Sequence, residues 1–254
     1  MRSLIVCLCF PFIAVAGDAH DHHGHAHHAH DQHDHGKSAT APAVQPLIDW
    51  KPIDARFETT TCEIPCRSPK SSAWDLRRNE TAVELRGAGA PYSEMWRRLG
   101  DGRVDYAFAM HDDERVIEYT PIDLQLINKT PDWERLGAVV AAEDLGRLKA
   151  GKTGQHSGYV TRTYTGIVNG TRVEIVWIPE LMLPAKVDSR TAKRRVTVKL
   201  LALEKRGNPP LPDSVRERYQ RVDFADLGDM EEDPDAQVWI RKAVNAPGHD
   251  NHVH

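Results

Sequence analysis

Nine of the sixteen residues from His20 to His35 are histidine: His20, His22, His23, His25, His27, His28, His30, His33 and His35. Neutral imidazole is the commonest side-chain ligand for transition metals and suits Zn, Cu and Ni. The spacings of one, two and three residues permit many overlapping coordination sets. The residues around them are Asp, Ala, Gly, Ser and Pro, so the stretch from Gly17 to Pro46 has almost nothing to bury and reads as a flexible tail. Each metal bound there must offset the cost of ordering the chain, so the expected sites are several, labile and modest in affinity. Asp18, Asp21, Asp31 and Asp34 supply oxygen ligands or orient imidazoles. The competing reading is a solvated spacer that meets metal only incidentally.

The tail follows an export signal. Met1 and Arg2 form a short basic start, Leu4 to Val15 is apolar apart from Pro11, and Ala14-Val15-Ala16 supplies the small residues of a cleavage site. A membrane anchor is the alternative, but spanning takes about 20 apolar residues and this run is shorter. Lipoprotein processing is weaker still, because neither Cys7 nor Cys9 follows small residues. Residues 1–16 are therefore read as a signal peptide, and the mature chain as exported, soluble and bacterial-periplasmic.

Export leaves two cysteines, Cys62 and Cys66. A close pair in an oxidising compartment is most simply a disulfide, with Pro65 favouring the bend between them. A reactive dithiol and a metal pair are the sharper alternatives.

The charged residues, 33 basic against 37 acidic, give a net charge of −4. Arg77-Arg78, Arg97-Arg98 and Lys193-Arg194-Arg195 are too short for a nucleic-acid footprint, and nucleic-acid binding is discounted. No later stretch is long and apolar enough to span a bilayer.

The positioning elements come next. Val104, Tyr106, Phe108 and Met110 alternate with Asp105, Ala107, Ala109 and His111, a strand with a period of two. Gly100-Asp101-Gly102 makes a hairpin loop between it and the run from Tyr92 to Arg98. His111-Asp112-Asp113 turns the chain into Arg115–Tyr119. Asn169-Gly170 between Val160–Val168 and Thr171–Ile178 is a strong hairpin signal. A further strand runs from Arg195 to Leu203. Between the strand groups, residues 121–149 carry helix signals: Thr130 as cap, Pro131 at the first helical position, and Leu136, Val139, Val140 and Leu145 as a buried stripe. Strands, then helices, then strands predict an α+β fold: a curved antiparallel β-sheet over residues 47–206 with helices packed on it. Trp74, Trp96, Tyr106, Phe108, Tyr119, Trp133, Tyr164 and Trp177 are expected core.

Residues 207–254 read as a Pro-rich and acidic extension. A short helix is expected from Asp213 through Tyr219, followed by solvated acidic residues. A last helix is expected over Pro234–Val244, anchored by Val238, Trp239 and Ile240. His249, His252 and His254 close the chain.

Gly158-Tyr159 with the Tyr164 strand, then Val173-Glu174-Ile175-Val176-Trp177, then Leu183-Pro184-Ala185-Lys186-Val187 give the half from Ile122 to Leu203 a resemblance to the periplasmic lipoprotein-carrier (LolA-like) superfamily. The resemblance implies a half-barrel with helices covering its concave side, and binding of acyl chains or another apolar ligand inside. The His-rich tail and the acidic segment with Asp223-Phe224-Ala225-Asp226 depart from that pattern, and fold does not fix function.

His111 and His156 are the remaining histidines of the expected fold and stand as secondary candidates. Ser157 with His111 and an aspartate suggests a serine hydrolase, but Gly154-Gln155-His156-Ser157-Gly158 is not the G-x-S-x-G elbow. No H-E-x-x-H, P-loop or dinucleotide fingerprint occurs. The reading is a non-enzymatic binding protein: a metal-capturing tail joined to a domain that binds an apolar small molecule, an acyl chain or an envelope protein. The alternative is a lipid or lipoprotein carrier with an incidental tail.

Overall fold

The structure is a computed structural model that describes residues 43–204, 210, 217–230 and 232–245. The export signal, all nine tail histidines and the C-terminal histidines lie outside the described residues.

Twelve strands form one open, curved sheet. They are β1 (Ile53–Glu63), β2 (Lys70–Arg78), β3 (Ala82–Gly87), β4 (Tyr92–Arg98), β5 (Val104–Met110), β6 (Arg115–Tyr119), β7 (Lys149–His156), β8 (Tyr159–Val168), β9 (Thr171–Ile178), β10 (Leu183–Arg190), β11 (Arg194–Glu204) and β12 (Gln220–Asp223). The order across the sheet is β12-β6-β5-β4-β3-β2-β1-β11-β10-β9-β8-β7. Nearly every neighbour is also next in sequence, as hairpin chains produce. The two exceptions are β1 against β11, which joins the halves, and β12, which adds to β6 in parallel. The fold class is the expected α+β, with that one parallel pair as a departure.

Three short helices sit between β6 and β7: α1 (Pro121–Leu126), α2 (Trp133–Ala138) and α3 (Ala142–Gly146). Helices of six, six and five residues are too short to hold alone and depend on packing. α1 starts with a full capping box, Thr120 on the Asp123 amide and Asp123 back on Thr120. α2 is capped by Asp132. The sequence signal at Thr130 and Pro131 therefore misplaced that start by two residues, because an aspartate at the next position competes as cap. Trp133, Val139, Val140 and Leu145 are buried, while Leu136 is only partly so.

The helices lie on one face. Cross-strand pairing aligns Arg78, Val83, Trp96, Tyr106 and Tyr119 into a row on that face, strand by strand from β2 to β6. Beside it runs a second row of Ala55, Leu76, Leu85, Glu94, Phe108 and Ile117. All the expected core aromatics except Tyr164 are buried, and Tyr164 packs against the core partly exposed. Leu148 closes the other half by lying over Gly166, where an added Cβ would come within 2.8 Å of its Cδ2.

The opposite face is lined by cross-strand arginine–carboxylate pairs such as Arg56–Asp75, Arg97–Asp105 and Arg195–Asp188. These exposed pairs suit a solvated face and add little stability each.

The C-terminal segment straddles the β6 edge. Tyr219 packs on Met95, Ala109 and Val116 of the outer face. On the inner face Phe224 stacks on Tyr119 at 4.6 Å, and Arg115 lies over the Trp239 ring at 5.1 Å. Phe224–Met230 is a 3-10 helix, and α4 spans Pro234–Asn245. The helix expected through Tyr219 falls mostly outside the described residues, and Tyr219 itself is in a bend leading to β12. In α4 Trp239 is buried and Ile240 packs partly buried against the core as expected, Ala236 is buried beside them, and Val238 is half-exposed.

Candidate functional site

The central feature of the covered face is Arg78, the last residue of β2. It is 1 % exposed, and its guanidinium donates to the carbonyls of Gly137 in α2 and of Leu181 and Met182 in the β9–β10 turn. Its carbon centre lies 5.3 Å from the Trp50 ring. Among the described residues no carboxylate pairs with it, and burial pushes its pKa down to about 9. It stays cationic at neutral pH, compensated only by carbonyl dipoles and an aromatic face. Trp50 in turn packs against Trp133 of α2, ring centroids 4.9 Å apart. Gly137 has no side chain because Trp50 occupies the space: an added Cβ would lie 2.1 Å from Trp50 Cη2.

The residue that ends α2, Val139, has φ 68 and ψ −34. A β-branched residue at positive φ is strained, by about 1–3 kcal/mol. The strain sits two residues from the Arg78 contact, so the helical cover is pinned at a point where its own backbone favours another conformation. Neither Arg78 nor Val139 was legible as special. Arg-Arg at the end of a polar-looking strand gives no sign that one of the two turns inward.

His111 lies on the outer face. Its Nε2 is 3.1 Å from Ser93 Oγ and its Nδ1 is 3.0 Å from the Tyr219 hydroxyl. Ser93 is 1 % exposed, so this chain of polar groups faces no open substrate site. Glu84, Arg77 and Arg86 surround it, and burial is the main cause that lowers the His111 pKa. The sequence expectation of an ordinary polar residue at a strand end is replaced by a half-buried bridge between strand and C-terminal segment.

His156 and Ser157 sit in the β7–β8 hairpin, at the other end of the sheet order from His111. The imagined Ser157–His111 pair is therefore not assembled, and both His111 ring nitrogens are already taken. Ser157 and Gly158, with φ 48 and 82, form the two-residue loop. His156, Ser157 and Tyr159 face Leu200, Leu201, Ala202 and Leu203 of β11 across a notch of about 190 Å³. There β10 pairs with β11 only as far as Lys199, while β1 continues to Glu204.

Cys62 and Cys66 form a disulfide with Cα atoms 5.2 Å apart. Among the described residues no group of three or more His, Cys, Asp or Glu is placed to hold a metal ion. No helix of the described residues is long and apolar enough to cross a membrane.

No family model and no curated protein matches the chain. Solved structures similar to it include PNGF-II, at 14% identity and TM-score 0.37, covering 69% of this chain and 33% of that one. MucB is similar at 14% identity and TM-score 0.36, covering 68% of this chain and 60% of the other. A LolA superfamily protein from Nitrosomonas europaea is similar at 9% identity and TM-score 0.32, with 66% and 90% covered. This chain thus spans about a third of PNGF-II and three-fifths of MucB. Likenesses this loose say nothing of function, and the functional reading rests on the chain's own residues.

Proposed function

We propose that this chain is an exported, non-catalytic binding protein in which α1–α3 form a movable cover. An apolar ligand, such as an acyl chain, enters between the cover and the aromatic face of the sheet. The observation that carries this reading is the buried Arg78, which ties α2 and the β9–β10 turn through carbonyls alone. A permanent core would close such a junction with apolar packing or a carboxylate. Hydrogen bonds from a desolvated cation to carbonyls are worth about 1.5–3 kcal/mol each, so the cover is closed yet releasable. Three short helices and the strained Val139 make opening local rather than global.

The His-rich residues 20–35 add capture of Zn, Cu or Ni, supported by the density of imidazoles. Docking of an envelope protein is a second reading, favoured by the notch beside Leu200–Leu203, which has room for one apolar side chain of a partner.

The cover is tested by titrating a fluorescent fatty acid into the wild type and Arg78→Leu. The variant, with its latch removed and its fold checked by circular dichroism, is expected to bind several-fold tighter. Equal binding by the two proteins, or none by either, counts against a ligand-gated cover.

A further inference from the structure

The turn after α1 aims an ammonium group at the aromatic row. Asn128 adopts φ 55, its N–H bonds to the Gln125 carbonyl, and the Lys129 N–H bonds to the Leu124 carbonyl at 2.7 Å. This is the six-to-one and five-to-two closure that ends helices with a left-handed residue. It carries Lys129 back over the sheet, with Nζ 4.5 Å from the Tyr106 ring centroid and 5.2 Å from that of Trp96. The two rings are cross-strand partners 4.4 Å apart, and Tyr119 continues the row 5.1 Å from Tyr106. A cation over a desolvated ring pair is attracted by both quadrupoles.

A second observation concerns the polar tips of the same rings. Trp96 Nε1 and Tyr106 Oη are buried with no hydrogen-bond partner among the described residues, and the two residues are 3% and 1% exposed. A buried donor without an acceptor costs about 1–3 kcal/mol, and among the described residues Trp50 Nε1 and Trp133 Nε1 share that condition. Glu94, on the same face in the neighbouring row, acts on Tyr106 through its charge. The site thus combines ring faces that take a cation, two donors that lack acceptors, and one carboxylate that disfavours a net negative guest.

We propose that Lys129 is a built-in occupant of a headgroup site for an ammonium-bearing phospholipid. On opening of the cover, the lipid ammonium replaces Lys129 over Trp96 and Tyr106. Its phosphodiester oxygens accept from Trp96 Nε1 and Tyr106 Oη, and its acyl chains run past Phe108 and Ile117 toward the β6 edge. This rests on the reading of α1–α3 as a cover, and it adds the ligand class. A net-anionic lipid gains the two donors but loses the ring contact and meets Glu94.

The full chain is incubated with vesicles of equal parts dioleoyl phosphatidylethanolamine and dioleoyl phosphatidylglycerol, re-isolated, and its bound lipid quantified by mass spectrometry. The wild type is expected to favour phosphatidylethanolamine by about five- to tenfold, the range a desolvated cation–π contact supplies. Lys129→Gln removes the internal competitor and raises that ratio. Tyr106→Phe keeps the ring and lowers total uptake while keeping the preference. Trp96→Leu brings the ratio toward unity; should it fail to fold, the two milder variants carry the test. Equal uptake of the two lipids, or a ratio indifferent to Lys129→Gln, overturns the headgroup site alone. Uptake of neither lipid, with no binding of a fluorescent fatty acid, overturns the cover reading with it.

Discussion

His111 Nδ1 lies 3.0 Å from the Tyr219 hydroxyl although 108 residues separate them in the chain. The contact fixes the C-terminal segment to the outer face of the sheet, next to Met95, Ala109 and Val116. Burial and Arg86 lower the His111 pKa from 6.5, Glu84 and Asp112 oppose them, and Arg77 adds a smaller lowering effect. A histidine depressed in the folded state contributes fully above its unfolded value and loses that contribution as pH falls through the lower, folded one. Stability is therefore expected to fall below about pH 6.5. Urea midpoints at pH 7.5 and pH 5 for the wild type and His111→Gln measure this. The gap between the two proteins should narrow at pH 5. A gap that stays constant removes His111 as a source of pH dependence.

Gly137→Ala tests the cover from the opposite direction. In an ordinary helix the change stabilises by about 0.5–1 kcal/mol. Here the new Cβ meets the Trp50 ring at 2.1 Å, and overpacking costs about 1–3 kcal/mol. The clash wins, so a net loss of about 1 kcal/mol is expected. Tryptophan emission should shift as Trp50 is displaced from Trp133. An unchanged midpoint and spectrum would mean that α2 moves freely over the sheet and is not seated on Trp50.

Thr120→Ala removes one half of the α1 capping box and should cost about 1 kcal/mol. The effect is expected to stay local, because α1 is short and makes its few contacts with β5 and β6. Amide exchange of residues 121–129 should accelerate with the sheet amides unchanged. Equal acceleration throughout would show that α1 unfolds only with the whole domain.

What was legible in the sequence depended on periodicity and turn chemistry. Tyr106 and Phe108 alternate with polar neighbours because one sheet face is dry, and Asn169-Gly170 marks a two-residue loop that only such residues adopt readily. The hairpins containing them are where they were expected. β7 was missed because Lys149 to Gln155 are all exposed on the sheet's outermost strand, where glycine and lysine replace an apolar stripe. β1 was not read as a strand, its alternation hidden by Thr59, Thr60 and Thr61. β12 was read as the start of an acidic coil after the helix expected through Tyr219, since four residues beside an edge strand leave no pattern of their own. Of the site, His111 and His156 stood out by residue type. Arg78 and Lys129 did not, because their roles come from carbonyls and rings supplied by distant elements.

The metal expectation concerns residues outside those described and needs its own measurement. Calorimetric titration of Zn, Cu and Ni into residues 17–254 is expected to show several ions bound with modest affinity. Removing the tail, with a chain that starts at Lys37, should abolish them, since the described residues hold no cluster of ligands. Protons compete for the same nitrogens, so affinity should weaken steadily between about pH 8 and pH 5. A tight site surviving the truncation would locate binding in the fold, with His111 and His156 the first residues to substitute. Affinity indifferent to pH would remove histidine as the ligand. If the full-length chain binds no better than a free polyhistidine peptide, the tail is a spacer and the sheet domain alone carries the function.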